Sequence, residues 1–445
     1  TQQLAEYGEI GTQADDRIEL RMSPSDVVPV QNRSWVTNVR PVIRPEPTQT
    51  DTETDIPGSS NGVSLGVQQA HQNGITGEGV EVGIIDDGFD SANPAIASNV
   101  VETRSFRSSG GDPAHGTSVA EIVTRVAPDS QLYLVSTSTG TDTEAAINYL
   151  KRQDVDIIVH SRGLPSIEDD GDHFLTDEVN AATDSGTLFV NSAGNEAQTH
   201  WEGDFRDADG NGFHEWTASG DERNALPASN TDFSGGNVSV TVRWENNGDS
   251  SDYKPYLLNP VTEEYIAEGE TSDGTSNKYA LLSADVAKQP LSLVIENTQG
   301  PANDEIEVIV SEGPRKIQRS IPASSISAPA DVPAALAVAA YERGQINSQR
   351  YTYIQNQLAP YSSRGPTDDG RTGIDVTGYT NIEVTNGLYG TEEFIFGGTS
   401  AAAPYAGGVA ALVEENQAGD QSPTELTSTL KSASDDILDP GTDTA

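Results

Sequence analysis

From Gly79 to Gly194 the chain alternates short apolar runs with segments of helical period, and this alternation leaves few folds open. "VEVGIID" (Val80–Asp86) is a β-branched run leading into an Asp-Gly turn, "SVAEIVTRV" carries a helical period, and "QLYLVST" is again strand-like. "EAAINYLKRQ", "VDIIVHS", "TDEVNAATDSG" and "TLFVNSAG" continue as helix, strand, helix and strand. Strands that are apolar almost throughout are buried on both faces. The expectation is therefore an α/β fold, a parallel sheet with helices on both faces. The alternation resumes after about residue 330 with "PAALAVAAYE", an Ala-rich helix that follows "FGGTS", and "SPTELTSTLKSAS".

Two other textures interrupt it. "VSVTVRWENNG", "YKPYLLNP", "EEYIAEG", "KYALLS" and "LSLVIEN" are short strands separated by Gly, Asn, Asp and Ser, with no convincing helix. Residues 200–314 are thus expected to form an all-β sandwich inserted between a first α/β part, 50–199, and a second, 315–445. In residues 1–49, "RIELRM", "PSDVVPVQN" and "WVTNVRP" suggest a small β-α-β piece, and "RPEPTQTDTETDIPGSSNG" reads as a flexible linker.

Composition narrows the function. With 69 acidic against 25 basic residues, six of them Lys, the net charge is −44 and the excess runs along the whole chain. Self-repulsion of that size strains a compact state in dilute buffer, whereas at about 1 M salt the Debye length falls to roughly 3 Å. The expectation is adaptation to high salt, and phosphate-rich partners such as nucleic acid are disfavoured. The absence of Cys excludes disulfides, thiolate metal sites and a Cys nucleophile. No run of about eighteen apolar residues is present to span a membrane. No charged-then-apolar leader stands at Thr1, so any export signal is expected either to have been removed or to lie outside the given sequence.

In "FGGTSAAAPYAGGVAALVEEN" a Ser, Ser400, stands at the start of an Ala-rich helix behind two glycines. A hydroxyl needs a base to act as a nucleophile. His115, in "DPAHGTSVAEIV", falls in the first turn of a helix, beside a glycine that would admit another chain. His71, His160, His173, His200 and His214 read as structural or solvated. Asp86 or Asp87, at the C-terminal end of a strand, could supply the third group, because ligands bind at strand ends of open parallel sheets.

The order Asp, His, Ser on an α/β fold is that of subtilisin. Together, "VGIIDDGFD", "HGTSVA", "SRGLP", "NSAGNE", "YSSRGPT" and "GGTSAAAPYAGG" make this chain resemble the subtilisin-like serine proteases, the subtilases, over roughly residues 60–199 and 330–445. The resemblance implies an endopeptidase with Asp86 as catalytic carboxylate, His115 as general base and acid, Ser400 as nucleophile and Asn195 as oxyanion donor. It implies that Ser161, Arg162 and Gly163, and Ser192, Ala193 and Gly194, flank an extended peptide or protein substrate. No cofactor is needed for that chemistry. Asp87 and Glu196 would favour basic substrate side chains, and Arg162, where the family is usually apolar, would oppose them. The sequence ends at "SASDDILDPGTDTA", where family members usually continue.

The resemblance extends to an inserted sandwich found in some subtilases and to a propeptide-like segment at residues 1–49, the chain's own propeptide being a candidate partner. It also implies secretion. "DADGNG" offers Asp207, Asp209 and Asn211 as candidate calcium ligands, although an Ala at the twelfth position, Ala218, excludes an EF-hand. The competing reading is a catalytically inert binding protein whose sandwich recognises a surface or glycan.

Overall fold

The computed structural model describes residues 3–47, 63–165, 167, 169–226, 233, 235–245, 251–273, 277–342, 357–385, 393–417 and 421–434. They fall into two compact units, one of residues 1–194, 327–362 and 367–445, the other of residues 195–326 and 363–366.

The first unit is built on an eight-stranded, largely parallel sheet. Its order is Gln357–Leu358, Ala335–Glu342, Leu188–Ser192, Ile157–His160, Glu81–Asp86, Gln131–Ser136 and Val100–Ser105, with Val376–Tyr379 also pairing with Ala335–Glu342. Every pairing is parallel except that of Gln357–Leu358. Side chains alternate between two cores, as a strand buried on both faces requires. Val82, Ile84 and Val159 enter one core with the helices Pro113–Val126 and Thr399–Asn416. Ile85, Ile158 and Phe189 enter the other with Gly140–Gln153 and Thr176–Asp184. "PAALAVAAYE" becomes the strand Ala335–Glu342, buried at every residue from Ala335 to Ala340. Tertiary burial here overrides the helix preference of alanine.

The helix Thr399–Asn416 is buried nearly all round, and two glycines allow it. A Cβ on Gly407 would lie 2.5 Å from Val159 Cγ2, and one on Gly408 2.6 Å from Val126 Cβ. The backbone therefore approaches both the sheet and the neighbouring helix closely.

At the N-terminus the expected β-α-β piece is instead a hairpin, Gly8–Ala14 with Arg17–Met22, followed by the short helix Val27–Gln31. "WVTNVRP" forms no strand. Glu46 and Pro47, read as the start of a linker, pair antiparallel with Arg162–Gly163. Proline on both sides of Glu46 favours an extended backbone there. The rest of that linker, residues 48–62, lies outside the described residues. The hairpin bonds the helix Gly140–Gln153, Arg17 Nη1 donating to Glu144 Oε2 at 3.0 Å and Thr12 Oγ1 to Asp142.

The second unit contains the expected insertion, 200–314, and extends beyond it at both ends. One sheet orders His200–Asp204, Glu305–Glu312, Gly235–Glu245, Asn277–Ala287 and Glu270–Asp273; the other orders Asn224–Leu226, Leu291–Gln299, Asp252–Asn259 and Glu264–Glu268. All pairings are antiparallel. Residues of both sheets, among them Val240, Val308, Leu257 and Leu293, share one core.

Candidate active site

Three helix and strand ends of the first unit converge. Asp86 closes the strand Glu81–Asp86 and is fully buried. His115 lies in the first turn of the helix Pro113–Val126, started by Asp112, whose carboxylate accepts from the Ala114 amide at 2.9 Å. Asp at the cap and Pro at the first position are both strong helix-start signals. Gly116 lets this helix approach, since a Cβ there would lie 2.3 Å from Gly88 O and 2.9 Å from Asp86 Cβ. Ser400 stands in the first turn of Thr399–Asn416, behind Gly398 with φ +87°. A positive φ suits glycine at that position.

Their side chains form one hydrogen-bonded chain. His115 Nδ1 lies 2.9 Å from each Asp86 oxygen, and His115 Nε2 lies 3.0 Å from Ser400 Oγ. The Ser400 hydroxyl is also 2.9 Å from Ser161 O, so its one proton faces two acceptors when His115 is neutral. Burial would raise the Asp86 carboxyl, but the His115 charge and hydrogen bond, helped by Arg162 and the Asp87 amide, hold it below the usual range. Asp86 thus stays ionised in a buried place, where it orients the imidazole and stabilises its charged form.

The structure places the other site candidates as follows. Ser161, Arg162 and Gly163 continue from the strand Ile157–His160, with the carbonyl of Ser161 facing Ser400. Arg162 is 5% exposed and donates to Pro45 O and, at 3.3 Å, to Thr137 O. Ser192 ends its strand, the Ala193 amide donates to Val338 O, and the Gly194 amide donates to Thr399 Oγ1 at 3.2 Å. Asn195 and Glu196 open the second unit. Glu196 is buried, takes a 2.8 Å bond from Ser363 Oγ, and burial lifts its carboxyl to about 7 against that bond and nearby amides. Near neutral pH it is therefore only partly ionised.

Asp87 does not offer a free charge either. Its Oδ1 accepts from Arg107 and lies 3.7 Å from Arg162, while its Oδ2 accepts from the Asp112 amide at 2.7 Å. Arg107, a residue with no sequence signal beyond a lone cation in "FRSSGG", is the functional neighbour that sequence reasoning missed.

The remaining histidines make structural contacts. His71 bonds Val126 O at 2.8 Å, His160 bonds Asn191, His173 bonds Asp331, His200 bonds Ile321 O, and His214 packs against Trp201 and Trp216.

In the candidate calcium loop, Asp207 accepts from the amides of Gly210, Asn211 and Gly212, and Asp209 accepts from Asn211. These carboxylates thus hold their own turn. Among the described residues, ligand atoms of Asp15, Glu144 and Glu178 lie within 4.8 Å of one another, with Arg17 already on Glu144. Among those residues no helix is long and apolar enough to cross a membrane.

A family model described as "Subtilase family" matches residues 77–289 and 274–445. The chain is 33% identical over 149 residues to "Subtilisin" of Bacillus pumilus, covering 29% of this chain and 52% of that protein. It is 29% identical over 147 residues to "Major intracellular serine protease" of Bacillus subtilis (strain 168), covering 28% and 45%. The matched stretch therefore spans about half the length of these curated relatives. The CspB protease of Clostridium perfringens aligns over 79% of this chain and 88% of its own at 15% identity, with a TM-score of 0.54, a likeness of fold.

Proposed function

The chain belongs to the subtilase family, and from that premise we propose that it is a serine endopeptidase acting on peptides and proteins. The observation that carries the proposal is the buried chain Asp86–His115–Ser400, with contacts of 2.9 and 3.0 Å. Ser400 Oγ attacks the scissile carbonyl as its proton passes to His115 Nε2, and the imidazolium is held by Asp86. His115 then gives that proton to the leaving amine. Water, deprotonated by the same nitrogen, cleaves the acyl-enzyme and returns Ser400. The oxyanion would be met by Asn195, by resemblance, and by the Ser400 amide at the positive end of an eighteen-residue helix. No cofactor takes part.

The finer reading has separate supports. A net charge of −44 supports function in high salt, and the relatedness to subtilisin supports secretion. Two antiparallel sheets around one core support a β-sandwich insertion. The pairing of Glu46–Pro47 with Arg162–Gly163 supports a propeptide-like arm in residues 1–49. The spacing of Asp207, Asp209 and Asn211 supports calcium at this turn, the oxygens that hold its amides keeping further lone pairs for a cation, and titration calorimetry with CaCl2 tests it.

The deciding experiment is labelling by a fluorophosphonate together with hydrolysis of a denatured protein in high salt. The protein should be labelled and active, and Ser400→Ala should lose both while unfolding at the same temperature. An inert binding protein would show neither in the wild type.

A further inference from the structure

Three carboxylates from three elements meet beside the N-terminal hairpin. Asp15 stands in the two-residue turn between Gly8–Ala14 and Arg17–Met22, Glu144 lies in the helix Gly140–Gln153, and Glu178 lies in the first turn of Thr176–Asp184. Each brings a carboxylate oxygen within 4.8 Å of the others'. Glu144 is fully buried and Glu178 is 7% exposed, whereas Asp15 reaches solvent. Hydrogen bonds do not account for the two glutamates. Arg17 Nη1 donates to Glu144 Oε2 at 3.0 Å, but Glu144 Oε1 and Glu178 Oε2 are buried with no hydrogen-bond partner among the described residues. A buried acceptor left unsatisfied is costly, and a charged one more so.

Charge points the same way. Three carboxylates face one guanidinium, and Asp16, 3.7 Å from Arg17, draws on that same cation. Burial, joined by the Glu178 charge, lifts the Glu144 carboxyl to about 7 against the pull of Arg17. One divalent cation would offset the excess and give both orphaned oxygens a partner. An all-carboxylate donor set selects a hard cation, and separations up to 4.8 Å fit a shell of calcium radius, about 2.3–2.6 Å.

We propose that Asp15, Glu144 and Glu178 form a calcium site that clamps the N-terminal hairpin to the helices Gly140–Gln153 and Thr176–Asp184, with water completing the shell. The ion then adds to the Arg17 and Thr12 bonds that already hold the hairpin. The site goes beyond the peptidase reading and stands or falls separately from it.

The test titrates the metal-free full chain with CaCl2 by calorimetry. It carries Ser400→Ala to prevent self-digestion and Asp207→Asn to remove the other candidate turn. About 1 M KCl screens diffuse attraction to the acidic surface, and a pH of about 8 lies above the Glu144 value. One saturable site should appear, with a Kd of about 10⁻³ M or tighter. Glu178→Gln and Asp15→Asn should each weaken it by about tenfold or more, since affinity follows the count of charged ligands. Calcium should raise the thermal midpoint of the reference protein more than that of either variant. Residues that only hold the hairpin would lower the midpoint and leave calcium affinity unmoved. If Glu178→Gln does not fold, Asp15→Asn, in an exposed turn, decides. The absence of a saturable site overturns the proposal, as does an affinity retained in either variant.

Discussion

Gly116→Ala separates the geometry of the His115–Asp86 contact from the stability of the fold. An alanine Cβ at that position would lie 2.3 Å from the Gly88 carbonyl oxygen, 2.9 Å from Asp86 Cβ and 2.9 Å from Phe89 Cε1. Non-bonded heavy atoms settle at about 3.5–4.0 Å, so the helix Pro113–Val126 and the end of the Asp86 strand must part by roughly 1 Å. Two of the three obstacles belong to the backbone or to Asp86 itself, which cannot rotate away. Parting by that amount takes the 2.9 Å His115–Asp86 bonds beyond hydrogen-bonding distance. A misplacement near 1 Å costs about 10²-fold in rate, or about 2.7 kcal/mol of transition-state stabilisation. Stability responds less. Overpacking costs about 1–3 kcal/mol, offset by about 1 kcal/mol because alanine is the better helix former. The assay is kcat on a peptide substrate alongside a denaturant midpoint, with Gly110→Ala as control, since nothing lies within 4 Å of a Cβ there. A kcat for Gly116→Ala within about threefold of wild type, far from that 10²-fold loss, would refute the argument that this glycine sets the contact.

The parallel sheet was legible because its strands are apolar on both faces, which only helices on both sides can cover. Asp86, His115 and Ser400 were legible as candidates because each stands at a strand or helix end beside a glycine. Gly116 and Gly398 now have geometric reasons: close approach for one, positive φ for the other. The charge balance was not legible. Arg107 lies twenty residues from Asp87 in a Gly/Ser loop without period, and only the folded chain brings it there. Glu196 reads as a full charge in sequence, yet burial lifts its carboxyl to about 7 in spite of the Ser363 bond, so it is only partly ionised near neutral pH. Glu46–Pro47 reads as linker because its strand is two residues long, and its partner edge lies over a hundred residues away.

Two further outcomes follow from charge. Desalting to about 0.1 M restores a Debye length near 10 Å, so the thermal midpoint should fall; a flat or rising midpoint would sink the adaptation to high salt. Glu196 should make stability depend on pH in the opposite sense to an ion-paired carboxylate. Its folded value, about 7, lies above the ordinary 4.5, so the folded state holds the proton more tightly. Its contribution is fully present below pH 4.5 and is lost as pH rises through 7. At 1.36 kcal/mol per unit that loss approaches roughly 3 kcal/mol. Glu144, also raised to about 7 by burial, titrates in the same window, so the wild type alone cannot isolate Glu196. Glu196→Gln keeps the shape and removes the titration. Unfolding free energies measured by denaturant from pH 4.5 to 7.5 should fall less steeply for the variant than for the wild type. Parallel profiles for the two proteins would mean that Glu196 is already ionised in the fold, and that its carboxylate remains available to attract basic substrates.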